Sequence, residues 1–147
     1  MKILKIALLF FFGSITVYAQ DLKMDEVPAK VVSTFEKEFL KANDVAWEKD
    51  KNNYKVAFKR NQMDYEVWYS STEKEVKREV ELLKSQLPKA VTKTLNKKYA
   101  AYKTGDAKMI KRASKKTLYR VEIEKENLEK IITFDENGSV LGVRTNR

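Results

Sequence analysis

The chain contains two related copies of one segment. Residues 27–35 (VPAKVVSTF) recur sixty positions later as residues 87–95 (LPKAVTKTL), and residues 54–58 (YKVAF) recur as residues 119–123 (YRVEI). This spacing is longer than a solenoid period and is typical of a duplicated supersecondary unit. The sequence therefore predicts two similar units built on one plan.

The first nineteen residues have the pattern of a secretory signal peptide. Lys2 and Lys5 precede an apolar run at residues 6–12, and the small residues Val17 and Ala19 suit a cleavage site. A membrane anchor is the alternative, but the apolar stretch is interrupted and shorter than the roughly 20 residues that span a bilayer. We predict cleavage near Ala19 and a periplasmic or secreted mature chain without a transmembrane span.

The mature chain is predicted to contain a short polar lead-in at residues 20–26, a first repeat at 27–86 and a second at 87–147. It has no cysteine and no histidine. Disulfides, the usual zinc sites and catalytic arrangements based on His or Cys are therefore excluded. We predict a protein that is not an enzyme, with no catalytic residue, metal or cofactor.

Each unit is predicted to begin with an amphipathic helix just after a proline. Behind Pro28 and Pro88, apolar residues recur at i, i+4 and i+8, namely Val31, Phe35 and Phe39 in the first copy and Val91, Leu95 and Tyr99 in the second. This spacing places them on one helix face. We expect the helices to end near Ala42 and Lys103 and to bury that face on a sheet.

Period-two alternation predicts antiparallel strands after each helix. Strands are expected around residues 45–47, 54–59 and 63–69 in the first unit, with a tight joint at Asn61-Gln62, and around 109–110, 119–124, 128–134 and 140–143 in the second. Residues 75–84 fit both helical and strand spacing. We choose a strand, because residues 69–76 take the place of residues 134–141.

These helices, strands and the hairpin at residues 134–141 (FDENGSVL) resemble the PepSY-like, beta-lactamase-inhibitor-like family of exported bacterial proteins. The resemblance implies an α+β fold in which two tandem helix-plus-four-strand repeats form one curved antiparallel sheet, with both helices on one face. In that family beta-lactamase inhibitor protein binds an enzyme on its concave sheet surface, and PepSY domains are associated with peptidase inhibition. The resemblance transfers no catalytic or contact residue to this chain.

The open sheet face is the first candidate binding site. If the apolar positions of the strands face the helices, alternation sends a set of polar and apolar residues to the other side, including Lys59, Glu66, Trp68, Arg120, Glu122, Ile131 and Thr133. A Trp among charges fits a binding hot spot. The alternative is that Trp68 only covers the sheet or packs on a neighbouring strand.

The second candidate is a basic patch. Residues 93–120 hold ten basic residues against one acidic residue, so this stretch accounts for the whole formal charge of +9. An anion-binding site here would use Lys93, Lys97, Lys98, Lys108, Lys111, Arg112, Lys115 and Lys116. A localised positive charge attracts anionic partners, although Lys-rich stretches are also ordinary solvated surface.

Residues 135–138 (DENG) are interpreted as a hairpin turn, not a calcium loop.

These features predict an exported, non-catalytic binding protein. The leading hypothesis is recognition of an exported protein or peptide on the open face, with inhibition of an exported hydrolase as one form. The alternative is binding of an anionic envelope component through the basic patch. Nucleic acid is disfavoured as a partner, because no recognised binding motif accompanies the charge.

Overall fold

The computed structural model describes residues 20–114 and 116–146, so the predicted signal peptide lies outside the described residues. Within them the chain has an α+β fold, with two α-helices and one nine-stranded antiparallel sheet whose strands follow in chain order. The elements are β1 (Gln20–Leu22), α1 (Ala29–Glu38), β2 (Asn43–Asp50), β3 (Asn53–Arg60), β4 (Met63–Tyr69), β5 (Glu75–Leu82), α2 (Lys89–Lys98), β6 (Lys103–Arg112), β7 (Thr117–Lys125), β8 (Leu128–Asp135) and β9 (Val140–Asn146). No helix in this part of the chain has the length and apolarity to cross a membrane.

Both helices are shorter than predicted. They stop at Glu38 and Lys98, so the predicted ends near Ala42 and Lys103 are wrong. Phe39, the last residue of the first apolar stripe, has φ −111° and ψ 61°, outside the helical region. It is buried nevertheless. The apolar stripe therefore continues beyond the last helical residue, and apolar spacing alone overestimates the length of the helix.

The lead-in contributes a strand that the sequence did not predict. β1 pairs antiparallel with β2, and Leu22 packs against the first core cluster. A 3-10 turn at Met24–Glu26 then leads into α1. A three-residue strand is too short to show alternation, which is why the pattern gave no sign of it.

The joints between strands follow the sequence signals. Asn61 and Gln62 connect β3 to β4 with φ of 52° and 64°, the two left-handed residues of a type I′ hairpin.

Residues 75–82 form β5, so the strand prediction for this segment is confirmed and the helical alternative is wrong. β5 lies between β4 and β6 and thereby joins the strands of both units into one sheet.

The two helices pack on the same side of the sheet, here called the helix side. Val31 and Phe35 of α1 cluster with Val56, Phe58 and Val67, and the second cluster comprises Leu87, Val91, Leu95, Ala107, Val121, Ile123, Ile132 and Phe134. The register Tyr65, Val80, Met109, Tyr119 links the two clusters along this side. The opposite side carries no helix among the described residues and is called the open face.

Replacing Gly138 with Ala should destabilise the protein by at least about 1–2 kcal/mol, the usual cost of a left-handed non-glycine residue. Gly138 has φ +77°, and an added Cβ would lie 2.4 Å from the Ala90 carbonyl oxygen of α2. Thr94 also donates a hydrogen bond to the Gly138 carbonyl at 2.8 Å. Urea unfolding measures the loss.

The matched control is Gly142→Ala in β9, where an added Cβ meets nothing within 4 Å. This variant should unfold close to wild type. Equal midpoints for the two variants would contradict the close approach of the β8–β9 turn to α2.

Candidate functional site

The open face collects the residues predicted for the first site. Strand register pairs Lys59 with Asp64, Ala57 with Glu66 and Lys55 with Trp68. In the second half Arg120 pairs with Thr133 and Glu122 with Ile131. Residues directly opposite in antiparallel strands share a face. The structure thus brings all seven predicted residues to the open face, and their role in binding stays a prediction.

Ion pairs organise the centre of the open face. The Lys55 ammonium lies 3.2 Å from a Glu48 oxygen and 2.6 Å from a Glu66 oxygen. Glu79 sits between Lys77 and Lys108, at 3.1 and 3.2 Å. Burial opposes ionisation of Glu79, but the two lysines outweigh it and hold its pKa below the usual value. These side chains fix one another, so the centre of the face presents an ordered surface.

Trp68 is in the floor of the open face. Its ring is on the predicted side of β4, yet the residue is only 7% exposed. The indole N–H donates to an Asp50 carboxylate oxygen at 2.7 Å, and the Lys77 ammonium lies 3.5 Å from the ring centroid. A bulge opposite Trp68 places the extra residue, Val76, in β5, so β4 keeps its alternation. A partner that approaches the open face would therefore contact the Lys77 side chain before the indole ring of Trp68.

Two adjoining cavities form a groove in the open face. The first, of about 350 Å³, is lined by Asp44, Ala57, Phe58, Lys59, Asp64, Tyr65, Glu66, Glu79, Glu81 and Lys108. The second, of about 250 Å³, is lined by Glu81, Asp106, Ala107, Lys108, Arg120, Glu122, Ile131 and Arg144. Glu81 and Lys108 belong to both cavities, so they mark the centre of this open-face groove.

Glu122 has an unusual environment at one end of the groove. Burial, a hydrogen bond with the Glu129 side chain and the charges of Glu129, Asp106 and Glu124 raise the pKa of Glu122 to about 7. Asn146 donates a hydrogen bond to Glu129 at 2.8 Å, which helps to hold that carboxylate. Glu122 therefore gains or loses its proton near neutral pH.

This shift predicts a pH dependence of stability. The folded protein holds the Glu122 proton up to about pH 7, whereas the unfolded chain releases it around the ordinary value of 4.5. The stabilisation is complete below the unfolded pKa and is lost as pH rises through the folded pKa. Wild type should therefore lose more unfolding free energy between about pH 5 and about pH 8 than Glu122→Gln, which stays neutral.

Denaturant unfolding at both pH values measures this difference. Glu36→Gln on α1 is the control for removal of a carboxylate from another surface. An unchanged pH dependence in Glu122→Gln would show that the carboxyl pair does not retain the proton.

Several open-face residues were missed from the sequence. They are mainly residues of β5 and its neighbours, namely Lys55, Lys77, Glu79, Glu81, Asp106, Ile110 and Arg144. The ambiguity of residues 75–84 left the faces of β5 unassigned. The signal was present, since Glu79 and Glu81 alternate with Val80 and Leu82.

The structure does not gather the basic patch on one surface. Lys93, Lys97 and Lys98 are on α2, and Lys111 pairs with Arg78 on the helix side. Lys108 and Arg112 are opposite Glu81 and Lys77 on the open face. Lys116 is exposed before β7, and Lys115 lies outside the described residues. The predicted anion site is thus divided between two sides of the sheet.

A smaller basic groove remains on the helix side. A cavity of about 690 Å³ along α2 is lined by Lys84, Ser85, Leu87, Lys89, Thr92, Lys93, Asn96 and Lys97. None of its four lysines forms an ion pair with a carboxylate in the described part of the chain. This α2 groove is the part of the patch that could attract an anion.

The turn at residues 135–138 is a hairpin turn, as predicted. The Asp135 carboxylate accepts hydrogen bonds from the backbone N–H groups of Asn137 and Ser139, at 3.0 and 2.8 Å. The Ser70 hydroxyl accepts equivalent bonds from Thr72 and Lys74 in the first unit. The carboxylate that would have bound calcium is engaged in closing the turn.

A family model described as "Putative beta-lactamase-inhibitor-like, PepSY-like" matches the chain twice, over residues 15–74 and 61–142. Comparison with curated proteins gives no match. The two overlapping matches together extend over nearly all of the described residues.

Solved structures share the fold. A DUF2874 family protein from Bacteroides uniformis is 22% identical, with a TM-score of 0.73 over 80% of this chain and 88% of that one. A structure from Bacteroides eggerthii, described as "putative periplasmic proteins", is 20% identical, with a TM-score of 0.74 over 81% and 88%. A BLIP-like protein from Bacteroides fragilis is 20% identical, with a TM-score of 0.69 over 80% and 85%. Identities this low establish a likeness of fold.

Proposed function

Since this chain belongs to the PepSY-like family of beta-lactamase-inhibitor-like proteins, we propose that it is an exported, non-catalytic binding protein that recognises a protein or peptide on its open sheet face. The observation that carries the proposal is the contrast between the two sides of the sheet. The helix side is closed by α1 and α2 over an apolar core, whereas the open face carries a groove and no covering element among the described residues.

The open face suits recognition for a physical reason. The ion pairs of Lys55, Glu79 and their partners hold polar groups in fixed positions before a partner arrives. Binding then costs less side-chain entropy than it would on a mobile surface. Ile131 and Trp68, both 7% exposed, provide a rigid apolar floor beneath these charges.

Export is supported by the leader pattern of residues 1–19 and by the similarity to a protein described as periplasmic. A non-catalytic role is supported by the absence of His and Cys from the chain. Inhibition of an exported hydrolase is the specific form of binding that fits a BLIP-like fold.

Affinity capture from the envelope of the producing cell tests the proposal with two matched charge reversals. Arg120→Glu alters the open-face groove, and Lys93→Glu alters the α2 groove. Capture of a specific partner should change with Arg120→Glu and stay unchanged with Lys93→Glu. Melting curves of both variants establish that folding is intact. Capture that is insensitive to Arg120→Glu would refute open-face recognition.

A second candidate function is binding of an anionic envelope component in the α2 groove. Its four lysines without ion pairs among the described residues favour this alternative. The same experiment separates the two, because Lys93→Glu should then abolish capture. Contacts with a polyanion also weaken steeply as salt rises, unlike contacts that bury an apolar anchor.

A further inference from the structure

We propose that the open-face groove accepts a cationic segment of its partner, in which exposed Lys or Arg side chains enter the two cavities. This inference rests on the proposed function and specifies the chemistry of the partner. It follows from the sign of the charge in the groove, from the carboxylates that remain without ion pairs there, and from the apolar floor.

The charge of the groove is opposite to that of the chain. The whole sequence has 30 basic and 21 acidic residues, and removal of Lys2 and Lys5 with the leader leaves a mature chain with a net charge of +7. Seven acidic and four basic side chains line the two cavities, a net charge of −3, or −2 while Glu122 holds its proton. A solvated surface of a basic protein would be expected to be positive. A cleft of one sign concentrates ligands of the other sign.

Some of these carboxylates are already neutralised within the protein. Glu66 binds Lys55, Asp64 binds Lys59, and Glu79 binds both Lys77 and Lys108. With Glu48, which also binds Lys55, these pairs comprise four carboxylates and four lysines, a frame without net charge around the groove. They leave other acids to contact a partner.

Asp44, Glu81, Asp106 and Glu122 are the acids that remain, and Glu122 shares a proton with Glu129. Glu81 and Asp106 line the second cavity without such a partner. Both are exposed, and neither forms an ion pair with another described residue. Lys108, directly opposite Glu81 in the sheet, is held by Glu79 instead. Glu81 belongs to both cavities, so one carboxylate can serve a cation in either of them.

The groove favours a side chain over a simple metal ion. Among the described residues no cluster of three acidic side chains is arranged to hold a metal. Ala57 lines one cavity and Ile131 lines the other, and both side chains are on the open face. Lys and Arg place apolar methylene stems on such surfaces while the charged head reaches a carboxylate.

Fluorescence anisotropy with a labelled hexalysine peptide tests the inference at low ionic strength, with hexaglutamate as the opposite probe. The groove variant is Glu81→Gln combined with Asp106→Asn. The matched control is Asp25→Asn combined with Glu36→Gln. These two residues line a cavity beside α1, so the control removes the same two negative charges from the helix side. Hexalysine affinity should fall about tenfold or more in the groove variant, as for loss of close charge pairs, and less than twofold in the control.

Equal losses in both variants would overturn the inference, because they would indicate attraction by overall charge alone. Absence of hexalysine binding, or stronger binding of hexaglutamate, would also overturn it. Envelope capture with the groove variant separates the two proposals. A cationic segment should be captured more strongly with Arg120→Glu and more weakly with the groove variant. A partner whose capture changes with Arg120→Glu but is unaffected by the groove variant would leave open-face recognition intact and refute the cationic segment.

Discussion

Phe35→Ala is expected to lower the free energy of unfolding by about 3–5 kcal/mol, the range for removal of a buried aromatic ring. Phe35 is 3% exposed, and its ring centroid lies 5.0 Å from that of Phe58 and 5.4 Å from that of Trp47. Both contacts are edge-on, an arrangement that stabilises aromatic pairs beyond their buried area. Urea unfolding of the purified variant measures the loss.

Leu95 occupies the matching position in α2 and provides the comparison. It packs in a cluster whose buried members are aliphatic except for Phe134, and its truncation removes a smaller side chain than a phenyl ring, so Leu95→Ala should cost less than Phe35→Ala, near the lower end of about 2–5 kcal/mol. Leu40→Ala is the control, because Leu40 is 67% exposed and its truncation should be nearly neutral. A wild-type midpoint for Phe35→Ala would remove Phe35 from the core.

Alternation in the sequence predicted which way each strand residue points. The strand that contains Val67 and Trp68 shows why this works, since successive side chains in a regular strand take opposite faces. Val67 is buried against α1 and Trp68 is on the open face. The same rule placed Ile132 and Ile131 on opposite faces of β8.

Alternation could not predict what covers a residue. The cover of Trp68 comes from Asp50, eighteen positions earlier, and from Lys77 on the adjacent strand. Lys77 belongs to the segment whose helical and strand periodicities could not be separated. Exposure depends on such contacts between distant residues, so alternation predicted which face Trp68 takes but not how far it is buried.

The basic patch shows a different limit. A count along residues 93–120 treats neighbours in sequence as neighbours in space. The stretch runs through α2, β6 and part of β7, and alternation in β6 sends Lys108 and Lys111 to opposite sides. Meanwhile acids from five strands converge on the groove, although no segment of the chain is conspicuously acidic.

Trp68→Ala should lower the free energy of unfolding by about 3–5 kcal/mol, as for other buried Trp residues, and not merely remove a contact surface. The change deletes the ring beneath Lys77, the hydrogen bond to Asp50 and part of the open-face floor. The nearby ammonium of Lys55, 5.6 Å from the ring centroid, would lose its apolar neighbour as well. Thermal and urea unfolding of the purified variant measure the loss without knowledge of the partner.

Trp68→Phe separates the ring from its hydrogen bond. It keeps most of the apolar volume and leaves the Asp50 carboxylate without its donor, so it should cost about 1.5–3 kcal/mol, the range for a hydrogen bond to a charged group. Combining it with Asp50→Ala should give less than the sum of the two single losses, because both changes break one contact. If Trp68→Ala instead unfolded like wild type, the result would indicate that the indole is an exposed anchor. Its truncation would then be expected to weaken binding of the partner directly.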